Sequence, residues 1–500
     1  MKTDAKVDDM GLATENEHVE SKGPSDPTFQ IYLEFASKDE EWKAANTKKL
    51  LRKVDIRLLP LLIIMYLLNF LDRSNLAQAR LGSLEKDLGM KGTDFNLATS
   101  ILFVGYLLMQ LPSNLLLTRV RPSLYLGCVM AVWGIISAAQ SATHTFGGLL
   151  ACRIMLGVVE APFFPGAIML MSSWYTRAEL AHRIAWFYSG SSLANMFGGL
   201  LAAGILGNLD GAHGIAGWRW LFIIEGVITV GVALTSTFIL PNFPATSMWL
   251  SDEERHFAQW RMVDDAKESD DSGAVGLFDG VKMVVTDYRL YLFIILQHLS
   301  LLSQTFQYFF PTIVKTLGFG QIATLLLTVP VWFATFLVSL VVTRTAGKTG
   351  DRSIHIMCLL AVSCLGNIIV VSTTKTGPRF FAMFLMPIGA VSAYQIIITW
   401  VANSFHRPMV KRSAAIAICN MIGNTASIYG SYMYPSSDGP RYLGGGVAVA
   451  VICLMIAALA FIIRLVLIRE NKKIAIAESE NIDIDEINTE GRGIGFRYYY

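Results

Sequence analysis

Residues 57–82 read RLLPLLIIMYLLNFLDRSNLAQARLG, an apolar run that carries the charged pair Asp72 and Arg73 in its second half. A bilayer core of about 30 Å requires roughly 20 predominantly apolar residues in one helix. Because an α-helix rises about 1.5 Å per residue, a helix that begins at Arg57 places Asp72 and Arg73 roughly 22–24 Å along its axis. We therefore expect the helix to continue past this pair towards Gly82, with both charges inside the membrane.

The rest of the chain has the same apolar character. Of its 500 residues, 53% are hydrophobic and 16% are charged, and the formal net charge is +2. An average soluble domain contains about 25% charged residues. The composition excludes an ordinary soluble enzyme and a disordered scaffold, and the balanced charge gives no electrostatic reason to bind nucleic acid.

Twelve apolar runs are long enough to cross a membrane. They begin near Arg57, Asp94, Pro122, Gly147, His182, Gly217, Leu290, Ile322, Ile354, Pro378, Ser413 and Gly444. Helices are expected because lipid cannot satisfy free backbone polar groups. The predicted fold class is therefore an all-α membrane protein with 12 transmembrane helices.

Basic residues in the loops predict the orientation of these helices. Lys and Arg cluster after the second, fourth, eighth, tenth and twelfth runs, at Arg119, Arg121, Arg177, Arg183, Arg344, Lys348, Arg352, Arg407, Lys411, Arg412, Arg469, Lys472 and Lys473. Since cytoplasmic loops carry an excess of Lys and Arg, we expect both termini in the cytosol. Residues 1–50 are polar and lack a secretory signal, so we interpret them as a largely disordered cytosolic tail. Residues 471–500 are interpreted as a second cytosolic tail.

One long polar connection, residues 241–288, divides the runs into two sets of six, and we interpret it as a cytosolic linker. The two sets, residues 51–240 and 289–470, also echo each other. Asn195 and Asn424 each lie twelve residues after an arginine near the start of the fifth or the eleventh run. A duplicated six-helix unit would produce this echo, and transporters built from such repeats place their site at the repeat interface.

Charged residues in the fourth run complement the pair in the first. Arg153 and Glu160 are seven residues apart and therefore share one face of a helix. If Tyr175 marks the membrane surface, Glu160 lies roughly 22 Å along the helix, near the depth of Asp72. An intramembrane charge costs at least ~2.5 kcal/mol and persists when it is paired or faces a cavity. Asp72, Arg73, Arg153 and Glu160 are therefore expected to gather.

Such a cluster either locks two helices together as a static ion-pair network or handles substrate and protons. Arginine presents a planar fork that binds a carboxylate at two points. A carboxylate in a site of low dielectric constant can carry a proton at ordinary pH, and a proton on Asp72 or Glu160 would weaken its hold on an arginine. We assign proton coupling to Asp72, Glu160 and Arg153, and contact with an anionic substrate to Arg73.

Polar residues recur on single faces of three later runs, where they either line a cavity or bond neighbouring helices. These stripes are Gln297, Gln304 and Tyr308; Ser392, Gln395 and Thr399; and Asn420, Asn424 and Ser427. Together they indicate a wet central path. The predicted substrate-binding residues are Arg73, Asn69, Gln297, Gln304, Tyr308, Gln395, Asn420 and Asn424. Glu225, in the sixth run, is interpreted as structural.

The cysteines and histidines give no indication of a metal or catalytic site. The six cysteines lie in or beside apolar runs, and neither a C-x-x-C pair nor a Cys/His cluster has the spacing of metal ligands. We therefore expect no cofactor and no metal. An enzyme embedded in the membrane would need a nucleophile or metal set inside it, so we expect that the protein is not an enzyme.

Four segments resemble the major facilitator superfamily and, within it, the fungal allantoate-permease branch of the anion:cation symporters. They are residues 69–75 (NFLDRSN), 153–166, 173–183 and 434–442 (YPSSDGPRY). The likeness covers about residues 50–470. It implies two six-helix bundles that work by alternating access and take up small organic anions such as ureides, vitamins or carboxylates, usually with protons. It also implies that Asp72, Arg73, Arg153 and Glu160 act in proton coupling and anion binding.

The predicted function is proton-coupled uptake of a small organic anion by a secondary active transporter in the fungal plasma membrane. Its predicted partners are the anion, protons and the lipid bilayer, with no nucleic acid, and we expect a monomer. The alternative is a proton-driven exporter of a fungal metabolite or drug. Such substrates tend to be large, apolar or cationic, which disagrees with a central Arg73. A nutrient sensor is a further alternative, but the two tails leave little room for a signalling domain.

Overall fold

The computed structural model describes residues 27–117, 121–269, 277–405, 409–479 and 497–500. The secondary structure of these residues is helical, without a β-strand, which confirms the all-α class. In chain order the helices are α1 (Pro27–Ser37), α2 (Glu40–Ala79), α3 (Leu84–Asp87), α4 (Asp94–Leu117), α5 (Pro122–Ala139), α6 (Phe146–Glu160), α7 (Phe163–Ser172), α8 (Arg177–Asn208), α9 (Gly217–Ile239), α10 (Asp252–Ser269), α11 (Leu277–Val285), α12 (Tyr288–Ser303), α13 (Phe310–Lys315), α14 (Gln321–Thr349), α15 (Arg352–Ser372), α16 (Thr376–Ser404), α17 (Met409–Asn424), α18 (Ala426–Gly430) and α19 (Leu443–Ser479).

Nine helical segments in the described ranges are long and apolar enough to cross a membrane: Glu40–Ala79, Pro122–Ala142, Phe146–Ser172, His182–Asn208, Gly217–Ile239, Gln321–Thr349, Arg352–Ser372, Thr376–Ser404 and Leu443–Ile476. The second, seventh and eleventh predicted runs correspond to α4, α12 and α17, which are not among these nine. The helices α12 and α17 have 16 residues each, and each is followed by a short helical turn. The total of twelve spans stays a prediction.

Helix α2 is a single helix of 40 residues that includes Pro60 and ends at Ala79. It continues past Asp72 and Arg73, as the helix-rise argument predicts. It also begins well before Arg57, and α1 precedes it, so residues 27–37 and 40–50 are helical where we expect a largely disordered tail. The reason is aromatic packing, because Phe35 lies 6.0 Å from Trp42 and 5.5 Å from the ring of Phe257 in α10. Residues 1–26 of the predicted tail lie outside the described residues.

The fourth predicted run is divided into two helices. Helix α6 ends at Glu160 and α7 begins at Phe163. Pro162 stands at the break, since proline lacks a backbone N–H and its ring clashes with a preceding carbonyl. Pro165 falls in the first turn of α7, where a missing N–H is tolerated. The break places Glu160 at the end of α6.

Two consecutive glycines let α8 pack between α2 and α14. A Cβ atom at Gly198 would lie 2.9 Å from the side chain of Leu71 in α2. A Cβ atom at Gly199 would lie 3.0 Å from the carbonyl oxygen of Leu325 in α14. Gly207, two turns later, faces Ile322, so α8 and α14 run antiparallel. This packing joins the helices before the predicted linker to those after it.

The two ends of the molecule are named here by one residue each. At the Asp55 end, Arg183 near the start of α8 donates two hydrogen bonds to Asp55, at 2.7 and 2.9 Å. Because α8 and α14 are antiparallel, α14 ends at this same end. Helix α2 runs from the Asp55 end to the opposite one, where α4 begins. We call that second end the Asn96 end.

Residues 498–500 dock at the Asp55 end against α12, α15, α16 and α19. Asn471 exchanges two hydrogen bonds with the backbone of Tyr498, at 2.8 and 3.0 Å. The Trp400 indole donates to the carbonyl of Tyr499 at 3.0 Å, and the Arg352 backbone N–H donates to the carbonyl of Tyr500 at 2.7 Å. Three arginines lie over the three rings: Arg289, Arg352 and Arg464. This part of the predicted C-terminal tail is therefore bound to the helices, while residues 480–496 lie outside the described ranges.

Candidate functional site

A central cavity lies between α2, α4 and α8 on one side and α12, α14, α16 and α17 on the other. Its empty volume, including the open mouth, is about 870 Å³. The lining consists of Tyr66, Asn69, Phe70, Arg73, Phe103, Tyr106, Phe164, Tyr188, Ser191, Asn195, Leu301, Gln304, Gln307, Tyr308, Trp332, Val391, Tyr394, Gln395, Asn420, Asn424 and Ser427. Aromatic and amide side chains dominate this wall.

Most of the sequence-predicted substrate-binding residues lie in the wall of this cavity. They are Asn69, Arg73, Gln304, Tyr308, Gln395, Asn420 and Asn424. Gln297 does not line the cavity, contrary to the expectation from its stripe. It is only 3% exposed, because α17 approaches closely at Gly423, where a Cβ atom would lie 3.3 Å from Gln297. Gln297 neighbours Tyr394, which does line the cavity.

In the part of the cavity wall that the structure describes, the charged residue is Arg73. Its Nε donates to Oε2 of Glu160 at 2.7 Å, and the side chains are 11% and 0% exposed. The guanidinium carbon also lies 4.9 Å from the Tyr106 ring centre and 5.8 Å from Phe103, a range in which a cation is attracted to the ring face. Arg73 thus borders the cavity while its carboxylate partner is buried behind it.

Asp72 and Arg153 lie behind this ion pair and outside the cavity lining. Consecutive helix residues point about 100° apart, so Asp72 faces α5, where its Oδ1 accepts a hydrogen bond from Ser137 at 2.6 Å. Arg153 Nη1 donates to the backbone carbonyl of Asp72 at 3.4 Å. The four predicted charges therefore gather, but Asp72, Arg153 and Glu160 do not face one shared chamber with Arg73.

Glu225, which we interpret from the sequence as structural, belongs to the same buried cluster. It is 1% exposed, and its Oε2 accepts a hydrogen bond from the side-chain amide of Asn75. Glu225 interacts electrostatically with Asp72, which in turn interacts with Glu160 and Arg153. Each of the three acids has one carboxylate oxygen without a hydrogen-bond partner in the described part of the chain: Asp72 Oδ2, Glu160 Oε1 and Glu225 Oε1. If all three acids were ionised, the cluster with its two guanidiniums would carry one excess negative charge, which a single bound proton would neutralise.

Sequence reasoning missed the aromatic part of the wall. Tyr66, Tyr106, Tyr188 and Tyr394 border the cavity with Tyr308, and the ring of Tyr66 stacks on Phe187 at 4.4 Å. Tyrosine combines a large apolar ring with a hydroxyl that needs a partner. The position of these tyrosines in the middle of apolar runs was the sequence feature that could have indicated an aromatic cavity wall.

The echo between Asn195 and Asn424 has a structural counterpart. Both residues line the cavity, from α8 and α17. The Asn195 amide donates to the carbonyl of Ser191 at 3.2 Å, and the Asn424 amide donates to that of Asn420 at 2.8 Å. Each asparagine thus donates a hydrogen bond to the residue one turn earlier, and each lines the same cavity.

Across the described ranges, no three His, Cys, Asp or Glu side chains come together as a metal site requires.

Comparison with known proteins assigns the family. Residues 62–431 match the model of the Major Facilitator Superfamily. The chain belongs to this superfamily. It is a multi-pass membrane protein in contact with lipid. It is a secondary transporter, and its substrate is a small molecule.

Named fungal transporters of the superfamily are similar to it along most of their length. The MFS-type transporter cnsO of Penicillium expansum is 34% identical over 456 residues, 88% of each chain. The major facilitator-type transporter hxnP of Emericella nidulans is 31% identical over 440 residues, 86% of this chain and 87% of that one. The fold resembles that of the xylose transporter XylE from E. coli in a partially occluded, inward-open conformation, with a TM-score of 0.63, 14% identity and coverage of 82% and 97%. These relatives are named as transporters, in line with our expectation that the protein is not an enzyme.

Proposed function

We propose that this superfamily member imports a small organic anion together with protons by alternating access. The observation that carries the proposal is the ion pair between Arg73 and Glu160. Arg73 borders the cavity and Glu160 is fully buried behind it. A substrate carboxylate in the cavity would therefore compete with Glu160 for the same guanidinium.

Arg73 suits an anion because of its geometry. A guanidinium has five N–H donors in a fixed fork, and its Nε is bound to Glu160 while the side chain borders the cavity. Among the described residues that line this cavity, Arg73 is the one with a formal charge. Amides from both groups of helices, such as Asn69 and Gln395, line the same cavity and can bond the remaining polar groups of a substrate.

The buried acids supply the proton part of the proposal. One proton would balance the excess negative charge of the cluster that contains Asp72, Glu160 and Glu225. If the proton binds Glu160, its attraction to Arg73 weakens and the guanidinium becomes available to the substrate. If the proton binds Asp72 or Glu225 instead, its charge affects Arg73 only indirectly, through Arg153 and Glu160. We therefore place the coupling proton on Glu160, with Asp72 and Arg153 setting the local charge.

Several finer assignments belong to the same proposal. We place the protein in the allantoate-permease branch, because residues 434–442 and 69–75 carry its resemblance. We further propose twelve spans, two six-helix bundles joined by residues 241–288, cytosolic termini and a monomer in the fungal plasma membrane. Under this orientation the Asp55 end faces the cytosol and the Asn96 end faces outward.

The test is uptake of labelled ureides, vitamins and monocarboxylates into vesicles that hold the purified protein, with and without an imposed pH gradient. We expect one anion class to accumulate with an inward proton gradient. Replacing Arg73→Lys keeps the charge but removes the fork, so it should weaken anion uptake strongly, and Arg73→Ala should weaken it further. Equal affinity in all three proteins would refute the anion contact. Accumulation driven only by an outward gradient would support an exporter instead.

A further inference from the structure

A polar contact joins the two groups of helices at the Asn96 end. Asn96 lies in the first turn of α4 and is completely buried. Its side-chain Nδ2 donates to the carbonyl oxygen of Ser431 at 2.6 Å and to that of Tyr434 at 3.3 Å. Both acceptors lie in the stretch that follows α18, more than 330 residues away in the sequence. The contact therefore bridges the helices before the predicted linker and those after it.

The backbone of the acceptor stretch explains why these carbonyls need a donor. Helix α18 ends at Gly430 and is followed by a single 3-10 turn, Ser431–Met433. The last carbonyls of a helix have no partner within it and must be satisfied by other groups. The two N–H groups of a side-chain amide can serve two such carbonyls at once. Asn96 thus bonds both ends of the 3-10 turn that follows α18 in the opposite group of helices.

Aromatic rings close the space around this amide. The ring of Phe95, beside Asn96, meets Phe309 edge to face at 5.6 Å. Phe309 in turn stacks on Tyr434 at 5.5 Å with an angle of 22° between the rings. All three rings are 1% exposed. An amide hydrogen bond in such a dry setting cannot be exchanged for water unless the two groups of helices separate here.

We propose that Asn96 is a positioning residue of the transport cycle whose amide holds the Asn96 end closed. The hydrogen bonds to Ser431 and Tyr434 must break whenever the cavity opens at this end, and they form again when it closes. This gives Tyr434 a role as an acceptor in the closed state. Tyr434 is the first residue of the segment 434–442 and does not line the substrate cavity. The inference rests on the alternating opening of the two ends, but it depends neither on the substrate nor on proton coupling.

The size of the effect follows from the bonds that are lost. A net contribution of about 1–2 kcal/mol from one good and one longer hydrogen bond corresponds to a factor of roughly 5–30 in a two-state equilibrium. Replacing Asn96→Ala should therefore raise the ratio of molecules open at the Asn96 end to molecules closed there by about that factor. The ratio of molecules open at the Asp55 end should fall correspondingly, because one cavity serves both openings.

The experiment measures access to the cavity from each side. The six native cysteines are replaced, and a single reporter Ser191→Cys is introduced in the cavity wall. A membrane-impermeant maleimide is applied to right-side-out and to inside-out vesicles. In Asn96→Ala, labelling from the Asn96 side should rise roughly 5- to 30-fold and labelling from the Asp55 side should fall.

Thr99→Ala is the matched control. Thr99 lies one turn further along α4, is 6% exposed, and its hydroxyl donates to the carbonyl of Phe95 in its own helix at 2.9 Å. It should label like the parent protein from both sides. If Asn96→Ala is not produced in folded form, Asn96→Asp keeps the shape, removes the donor and should give the same opposite shifts. Unchanged labelling in the Asn96 variants, or a rise from both sides at once, would overturn the proposal, because general loosening increases access from both sides.

Discussion

Glu160→Gln is the change that separates anion binding from proton coupling. The glutamine keeps the shape of the side chain but removes the charge that holds Arg73 at 2.7 Å. Two unit charges about 4 Å apart attract each other by on the order of 4 kcal/mol at an effective dielectric constant of about 20. The net contribution of a hydrogen bond to a charged group is about 1.5–3 kcal/mol. A substrate carboxylate that no longer competes with Glu160 should therefore bind roughly 10- to 150-fold more tightly.

The affinity should also lose its dependence on pH. In the parent protein the substrate has to compete with an ionised Glu160 at high pH, so the affinity should rise as the pH falls. The variant resembles the protonated state at every pH, and its affinity should be constant and equal to the low-pH affinity of the parent. Exchange of labelled for unlabelled substrate should continue in the variant, since it requires no net proton movement.

Two assays on the same vesicles distinguish these effects. Counterflow of labelled substrate measures exchange, and accumulation under an imposed pH gradient measures coupling. We expect Glu160→Gln to retain counterflow and to lose accumulation. If the variant accumulates substrate under the gradient as the parent does, Glu160 does not carry the coupling proton. If its affinity is unchanged at neutral pH, the competition for Arg73 is wrong.

Three further predictions concern packing and ion pairs away from the cavity. Gly199→Ala should lower the thermal unfolding midpoint, because its Cβ would lie 2.5 Å from Thr328 Oγ1. The control Gly204→Ala, in the same helix, meets no atom within 4 Å and should leave the midpoint equal or higher. Equal losses in both variants would refute the close approach. Burial opposes ionisation of Asp287, but hydrogen bonds and charges from its basic partners outweigh it and hold its pKa at about 2. The ionised Asp287 carboxylate contributes its full stabilisation at pH values above about 3.9, the pKa of an aspartate in the unfolded chain, and this contribution is lost as the pH falls through about 2. Asp287→Asn should therefore reduce stability equally at about pH 5 and 7. It should leave the shape of the pH profile of uptake unchanged. Tyr498→Ala should release residues 498–500, which hydrogen exchange would detect as faster exchange of the first amides of α15; unchanged exchange would contradict the docking.

The sequence predicted the features that depend on spacing along one helix. The rise of a helix placed Asp72 and Arg73 far inside α2, and the seven-residue spacing placed Glu160 on the same face as Arg153. Pro162 lies at the break between α6 and α7, where proline interrupts the helix by its own local geometry. These predictions succeed because each depends only on local geometry.

The features that sequence reasoning missed depend on contacts between distant segments. Helix periodicity did not reveal that Asp72 faces α5 while its neighbour Arg73 faces the cavity, because the rotation of a helix in its bundle is set by packing. The burial of Gln297 depends on the approach of α17 at Gly423, which belongs to another run. The pairing of Asn96 with Tyr434 connects residues more than 330 positions apart, and no spacing rule relates them.

The docked residues 498–500 bear on how this transporter can be tagged. The carbonyl of Tyr500 accepts a hydrogen bond from the backbone of Arg352 at 2.7 Å, and the ring of Tyr499 lies under the same arginine. A fluorescent protein or affinity tag joined after Tyr500 would begin at a residue that is hydrogen-bonded to the start of α15 and would crowd the contacts of residues 498–500 with the helices. Localisation and activity measured with such a fusion would report on a perturbed Asp55 end, so a label in an exposed loop is the safer choice.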